Sequence, residues 1–141
     1  MLSRSRSLTR CSPYKFAAPS TACEFATHIL HEKANIAVVS MAWNTNEPAN
    51  SFHQSPEEPC MDTLSYWMAR LKPLLVADEP REVIVVLANR TGVEGDAVYA
   101  GTSTVIGIEP GNVKLYGVLG RGEKELLMVD TSEPRGKLVF A

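Results

Sequence analysis

The stretch 82-EVIVVLANRTGVEGDAVYAGTSTVIGIEPGNVKLYGVLGRGEKELLMVD-130 decides the fold class. Its β-branched, apolar runs are separated by turns that carry glycine, the pattern of sheet strands with short connections. Arg81–Leu87 reads as a strand, which Asn89-Arg90-Thr91-Gly92 closes with turn chemistry. Thr102–Ile108, Val113–Val118 and Glu125–Asp130 are the next strands. Glu109-Pro110-Gly111-Asn112 and Gly120-Arg121-Gly122-Glu123 join them as short connections, which predicts an antiparallel meander. The glycines of GVLGRGEKE have neither GK[ST] nor a following helix, so they predict a hairpin rather than a phosphate loop.

Upstream of this stretch the period changes. A helix opening near Asp62 carries Leu64, Trp67, Met68, Leu71 and Leu75 on one face, and Pro73 should kink or end it. Before it, Asn44–Pro59 is polar and holds three prolines and three asparagines, so it predicts a surface loop of a length that is often functional. Ala34–Trp43 is a continuous apolar run, the pattern of a strand covered on both faces. An earlier helix starts with a capping-box pair, Thr21 and Glu24, and buries Ala22, Phe25, Ala26, Ile29 and Leu30. The segment Pro13–Ser20 should anchor Tyr14 and Phe16 on a neighbouring surface. Helix, strand, helix, strand and then strands alone predicts an α/β (α+β) layered domain over one sheet.

A chain of 141 residues is one domain by length and can bury about 70% of its unfolded surface. Net charge is −2, but Met1–Cys23 holds four basic residues and no acid. Its SRSRSLTR run fits an organelle transit segment, a nucleic-acid-seeking arm, or an unrelated or disordered start, and the last is preferred because the run is short and not amphipathic. Cys11, Cys23 and Cys60 are odd in number and widely spaced, which argues against a disulfide framework and suits a reducing compartment. His28 and His31 lie about a turn apart beside Glu32, off the apolar stripe and without a third ligand, so a solvated face is preferred to a metal site. No apolar run reaches the roughly 20 residues of a membrane helix. The expectation is a cytoplasmic protein, with a mitochondrial destination as the alternative, and with neither nucleic acid nor membrane as partner.

Three pieces in order carry a resemblance: SMAW at Ser40–Trp43, ANRTGVEG at Ala88–Gly95, and YAGTSTVIGIEPGNV at Tyr99–Val113. Together they resemble the second half of a nitrilase-superfamily (carbon–nitrogen hydrolase) domain. PYKFAAPSTACEFATHIL, MDTLSYWMARLKPLL and GVLGRGEKELLMVDTS are most similar to fungal protein N-terminal asparagine amidohydrolases, over about Ser12 to Val139. The resemblance implies the C-terminal half of a four-layer αββα sandwich over residues 12–141, after an unrelated or disordered start at 1–11. It implies no cofactor and no metal, and a Cys-Glu-Lys set in which a thiolate attacks an asparagine side-chain amide. The product is a protein with N-terminal aspartate, a mark for degradation in the N-degron route. The partner implied is a protein or peptide N-terminus, with homo-oligomerisation through packed sheets.

The match has a departure. In the resembled enzymes the nucleophile lies in a Gly-x-Cys-x-Asp stretch five residues before the equivalent of Pro13, which here is Leu8, and its aspartate falls on Arg10. Cys11 stands three residues away, too far a slip at about 3.3 Å per residue. The expectation is therefore no catalytic residue in this chain. Four residues are candidates for a substrate pocket. Trp43 walls the pocket or packs a strand–loop corner. Asn89 and Arg90 form a structural turn or touch substrate. Glu94 reads a substrate amino terminus by charge or is a solvated loop acid.

Overall fold

In the computed structural model, residues 22–137 are described. The readings made for 1–11, for Tyr14 and Phe16, for Cys11 and for Thr21 lie outside them. The elements are α1 (Glu24–Glu32), β1 (Ile36–Met41), β2 (Asn44–Thr45), α2 (Ala49–Phe52), α3 (Met61–Arg70), α4 (Lys72–Leu75), β3 (Val83–Asn89), β4 (Thr91–Glu94), β5 (Ala97–Ala100), β6 (Thr104–Glu109), β7 (Asn112–Val118) and β8 (Gly136–Lys137). The α+β class holds. A five-stranded sheet has the order β1-β3-β6-β7-β8, with β1 parallel to β3 and the other pairs antiparallel. A second sheet, β2-β5-β4, is antiparallel throughout.

The helices cover one face of the larger sheet. Ala26 and Ile29 of α1, Met68 of α3, and Leu71 and Leu74 around the α3–α4 break meet Val83, Val85 and Leu87 of β3 and Ile106 and Ile108 of β6. In β3 the alternation is strict, Val83, Val85 and Leu87 being buried while the residues between them are partly exposed. Pro73 acts as expected. It stands in the first turn of α4, after α3 has ended at Arg70. A second, smaller core joins Phe52, Cys60, Val98 and Ala100 beneath the small sheet.

Several expectations change. Both helix starts move: α1 is capped at Cys23 rather than Thr21, and α3 at Cys60 rather than Asp62, neither with a side-chain cap bond. The strand at 36–41 is covered on one face only. It is the edge of its sheet, and its apolar run leaves Ile36 63% and Val38 64% exposed. The polar stretch 44–59 is not a plain loop, because β2 joins the small sheet and Phe52 from α2 fills the second core.

Asn89-Arg90-Thr91-Gly92 is not a free turn. Asn89 is the last residue of β3 and Thr91 the first of β4, and the small β4–β5 hairpin turns at Gly95, which has φ 58°. Finally, Glu125–Asp130 is extended but unpaired. Leu127 and Val129 lie against the bare backbone of Gly117 on the face of the sheet, so the segment crosses over the strands instead of joining them. The edge place beside β7 is taken by β8.

The GRG segment is a clamp rather than a hairpin. Arg121 N donates to Glu58 O (2.9 Å) and Gly122 N to Pro56 O (2.9 Å), while the Arg121 guanidinium bonds Glu58 O (3.0 Å) and Pro59 O (3.1 Å) and sits 4.7 Å over the Phe52 ring. Glycine is needed at Gly101, where φ is 53° and an added Cβ would strike the carbonyl of Arg121. The next residue, Thr102, also has a positive φ of 62°. It is buried and held by its hydroxyl, which donates to Ala100 O (2.9 Å) and accepts from Cys60 N (2.9 Å).

Candidate functional site

In open α/β sheets, ligands bind beyond the carboxyl ends of the parallel strands. Here β1 and β3 run parallel in register from Ile36 with Ile84 to Met41 with Asn89, so their carboxyl ends place Trp43 beside Asn89. The Asn89 side chain joins them. Its Oδ1 accepts from Trp43 N (2.7 Å), and its Nδ2 donates to Trp43 O (3.2 Å) and Gly101 O (3.0 Å). Ser103 Oγ ties the same point to β6, accepting from Asn89 N (3.0 Å) and donating to Asn89 O (3.1 Å). Asn89 is thus a strut, with its amide committed to backbone.

The Trp43 ring turns onto α3. It lies 4.7 Å from Tyr66 and 5.4 Å from Trp67, and those two meet edge to face at 5.7 Å. Arg70, 4% exposed, donates to the Tyr66 hydroxyl (3.1 Å) and pairs with Glu24 of α1. The tryptophan therefore packs the strand–loop corner, and the residues after it border open space.

Asn44–Pro48 is the shared wall of two clefts, each about 340 Å³. The first continues along Val93 and Gly95–Val98, the second along Cys60, Asp62 and Thr63. Glu47, Asp62 and Asp96 are the charged residues of these linings, so both clefts are acidic. The Cys60 thiol in the second wall is 5% exposed and accepts a hydrogen bond from Thr63 Oγ1 (3.3 Å). That is the setting of a buried structural thiol. Cys23 Sγ lies 3.8 Å from Ala69 O at the head of α1.

Arg90 and Glu94 form a separate group on the small sheet. Arg90 Nη2 donates to Glu94 Oε2 (2.7 Å), Tyr99 OH donates to the same oxygen (3.2 Å), and the guanidinium stacks 4.5 Å over the Tyr99 ring. The structure thus brings Trp43 together with Asn89, and Arg90 together with Glu94, but does not bring the four into one pocket. Glu94 has its charge met by Arg90. Sequence reasoning reached Asn44–Pro48 only as part of the 44–59 loop, whose length is often functional, and singled out none of its residues. His28 and His31 are exposed on α1, His31 Nδ1 lying 2.9 Å from Glu32.

A third cleft, about 210 Å³, opens on the sheet face away from the helices. Val86, Leu87, Ala88, Ser103, Thr104, Val105, Leu119, Glu125 and Leu127 line it. It too borders the carboxyl end of β3.

An α+β protein with clefts around the carboxyl ends of a parallel strand pair is the class these observations define. Among curated proteins, the chain is 31% identical over 128 residues to the protein N-terminal amidase of Schizosaccharomyces pombe. The alignment takes in 83% of this chain and 43% of that protein, so the chain spans less than half the length of this relative. No family model and no solved structure matches the chain. Among the described residues, no helix is long and apolar enough to cross a membrane.

Proposed function

We propose that this chain is the scaffold half of a nitrilase-superfamily amidase that hydrolyses the side-chain amide of asparagine at protein N-termini. The observation that carries the reading is the 31% identity to a protein N-terminal amidase across 83% of the chain. The parallel β1–β3 pair supports it, because its carboxyl ends are where such a fold builds a substrate cleft. The exposed Ile36 and Val38 support a second sheet packed on this face, as in an αββα sandwich.

The reaction is the one the resemblance implies. A thiolate adds to the amide carbon, a glutamate transfers its proton to the leaving ammonia, a lysine holds the oxyanion, and water cleaves the thioester to leave aspartate. The nucleophile, glutamate and lysine come from sequence outside the described residues. This chain supplies the strand ends and cleft walls. The setting is cytoplasmic and the product enters the N-degron route.

A deamidation assay tests the reading. The chain is compared with a polypeptide extended by the in-frame coding sequence upstream of Met1. The extended protein is expected to release ammonia from an Asn-initiated peptide, and the chain alone is not. Ammonia from the chain alone, or none from the extended protein, overturns the proposal. A second reading, a non-catalytic partner of an intact nitrilase-family subunit, is favoured by the same uncovered β1 edge.

A further inference from the structure

The face of the larger sheet away from the helices is covered unevenly. On β1 Ile36 and Val38 stand open to water, whereas Val105 of β6 and Tyr116 of β7 are 7% and 2% exposed. Register puts all four on one face. Val38 pairs with Val86 and Val86 with Val105, while Ile36 pairs with Ile84 and Ile84 with Gly107, against which the Tyr116 ring lies. The cover over the β6–β7 half is the chain's own segment 124–129. Its Leu127 and Val129 lie against Gly117, and its Glu125 and Leu127 share a cleft with Val86 and Val105.

This strap has the residues of a strand without the bonds of one. Among the described residues no backbone–backbone hydrogen bond holds 124–129, and its outward side chains are apolar, Leu126 being 84% and Met128 78% exposed. A better place for it lies close by. The edge beside β7 is held by β8 at Lys114 and Leu115 alone, so Tyr116, Gly117 and Val118 have no strand on that side among the described residues. The connection 119–123, fixed to Pro56 and Glu58 by the Arg121 clamp, has the length of a hairpin loop and would let the strap fold back antiparallel along β7.

We infer that the strap 124–129 is an assembly switch, which lies on the open face while that face is uncovered and moves to the β7 edge when a second sheet packs there. The inference rests on the amidase reading for that second sheet. Two packed sheets stand about 10 Å apart, and the side chains of their facing layers fill the space between them. A backbone lying across the sheet on Leu127 and Val129 occupies the same space, so the strap and a second sheet exclude each other over β6 and β7. At the β7 edge the strap gains ladder hydrogen bonds that it lacks on the face, and the two residue pairs of β8 give way to it. Until then it keeps Val105 and Tyr116 from water, which makes it a stand-in for the missing layer.

Amide hydrogen exchange of the whole chain, read by mass spectrometry, tests this. In the unsubstituted chain residues 124–129 are expected to exchange rapidly. Gly117→Val is the discriminating variant, because the Gly117 backbone is not left-handed and an added Cβ alone would come within 2.7 Å of Val129 Cγ1 and 2.9 Å of Leu127 Cδ1. It is expected to drive the strap from the face to the β7 edge and so to slow exchange of 124–129 roughly tenfold, whereas a strap that is merely unseated exchanges as fast as before. The protein extended upstream of Met1 is expected to show the same slowing without the substitution. Slow exchange of 124–129 in the unsubstituted chain, or rapid exchange in either Gly117→Val or the extended protein, overturns the inference. Ammonia release separates the two claims. Slowed exchange without turnover in the extended protein removes the amidase reading alone, and turnover with rapid exchange of 124–129 removes this inference alone.

Discussion

At the level of single residues, two side chains hold more than their types suggest. Asn89 makes three hydrogen bonds to backbone at the junction of β1, β3 and the 101–103 turn. Asn89→Asp keeps the shape but sets a carboxylate against two carbonyl oxygens, and is expected to cost about 2–4 kcal/mol in urea unfolding. Asn89→Ala should cost somewhat less, since it removes the partners without introducing repulsion. Tyr116 is 2% exposed and donates its hydroxyl proton to Glu82 (2.6 Å). Burial, followed by the bond to Glu82 and its charge, pushes its pKa from 10.0 to about 12. The folded state therefore binds the phenolic proton more tightly than the unfolded one. Stability from this group is complete below pH 10.0 and is lost as pH rises toward about 12. Base-induced unfolding followed by circular dichroism should show a decline of about 2 kcal/mol across that range, absent in Tyr116→Phe. The sequence suggested a role for Asn89 but did not disclose it, because a turn-forming amide and a strut between two strand ends look alike until the partner strand is placed. Glu94 shows the converse, its charge being met by Arg90 along β4 and by Tyr99 of the facing strand, in a hairpin that strands of four residues do not announce in the sequence.

Among the elements, the GRG clamp is the most testable. Its two glycine neighbours let the Arg121 backbone and guanidinium reach Pro56, Glu58 and Pro59 and so fasten the long 44–59 connection to the sheet. Arg121→Ala removes two side-chain hydrogen bonds and the contact over Phe52, and is expected to cost roughly 1–3 kcal/mol. Faster amide exchange in residues 53–60, with β3 and β6 unchanged, would locate the loss. Gly101→Ala should be worse, about 2–4 kcal/mol, because an L side chain at that positive φ also meets the Arg121 carbonyl. The period of the sequence was sufficient for α1, α3, β3, β6 and β7, whose apolar faces meet one core. It failed where a strand pattern had no edge left to join. ELLMV is a short apolar run like that of a strand, yet the segment crosses over Gly117, and the small sheet is built from strands of two to four residues that carry too little pattern to be seen.

For the molecule as a whole, the two faces of the larger sheet are unequal. Helices bury Val83, Val85 and Leu87 on one side, whereas β1 leaves Ile36 and Val38 more than half exposed at an edge. Among the described residues that edge has none of the usual protections. The sequence Ile36-Ala37-Val38-Val39-Ser40-Met41 holds no proline, lysine or bulge, and its parallel pairing with β3 leaves its outer backbone groups unpaired within the sheet. The strand pattern of Ala34–Trp43 had implied cover on both faces, and the discrepancy has a physical sense: the sequence encodes a buried strand, while the described residues bury one side of it. A strand composed for burial but left at an edge should find a partner. Purified alone, the chain is expected to self-associate with rising concentration and to bind a hydrophobic dye at low concentration. Val38→Lys places a charge on the open face without touching the helix-side core, so it should lower both signals in sedimentation velocity and dye fluorescence while leaving the thermal midpoint nearly unchanged. Monomeric sedimentation of the unsubstituted chain with a sharp cooperative melt and no dye binding would show that the face is stable in water. The proposal of a second sheet packed against it would then lose its structural support.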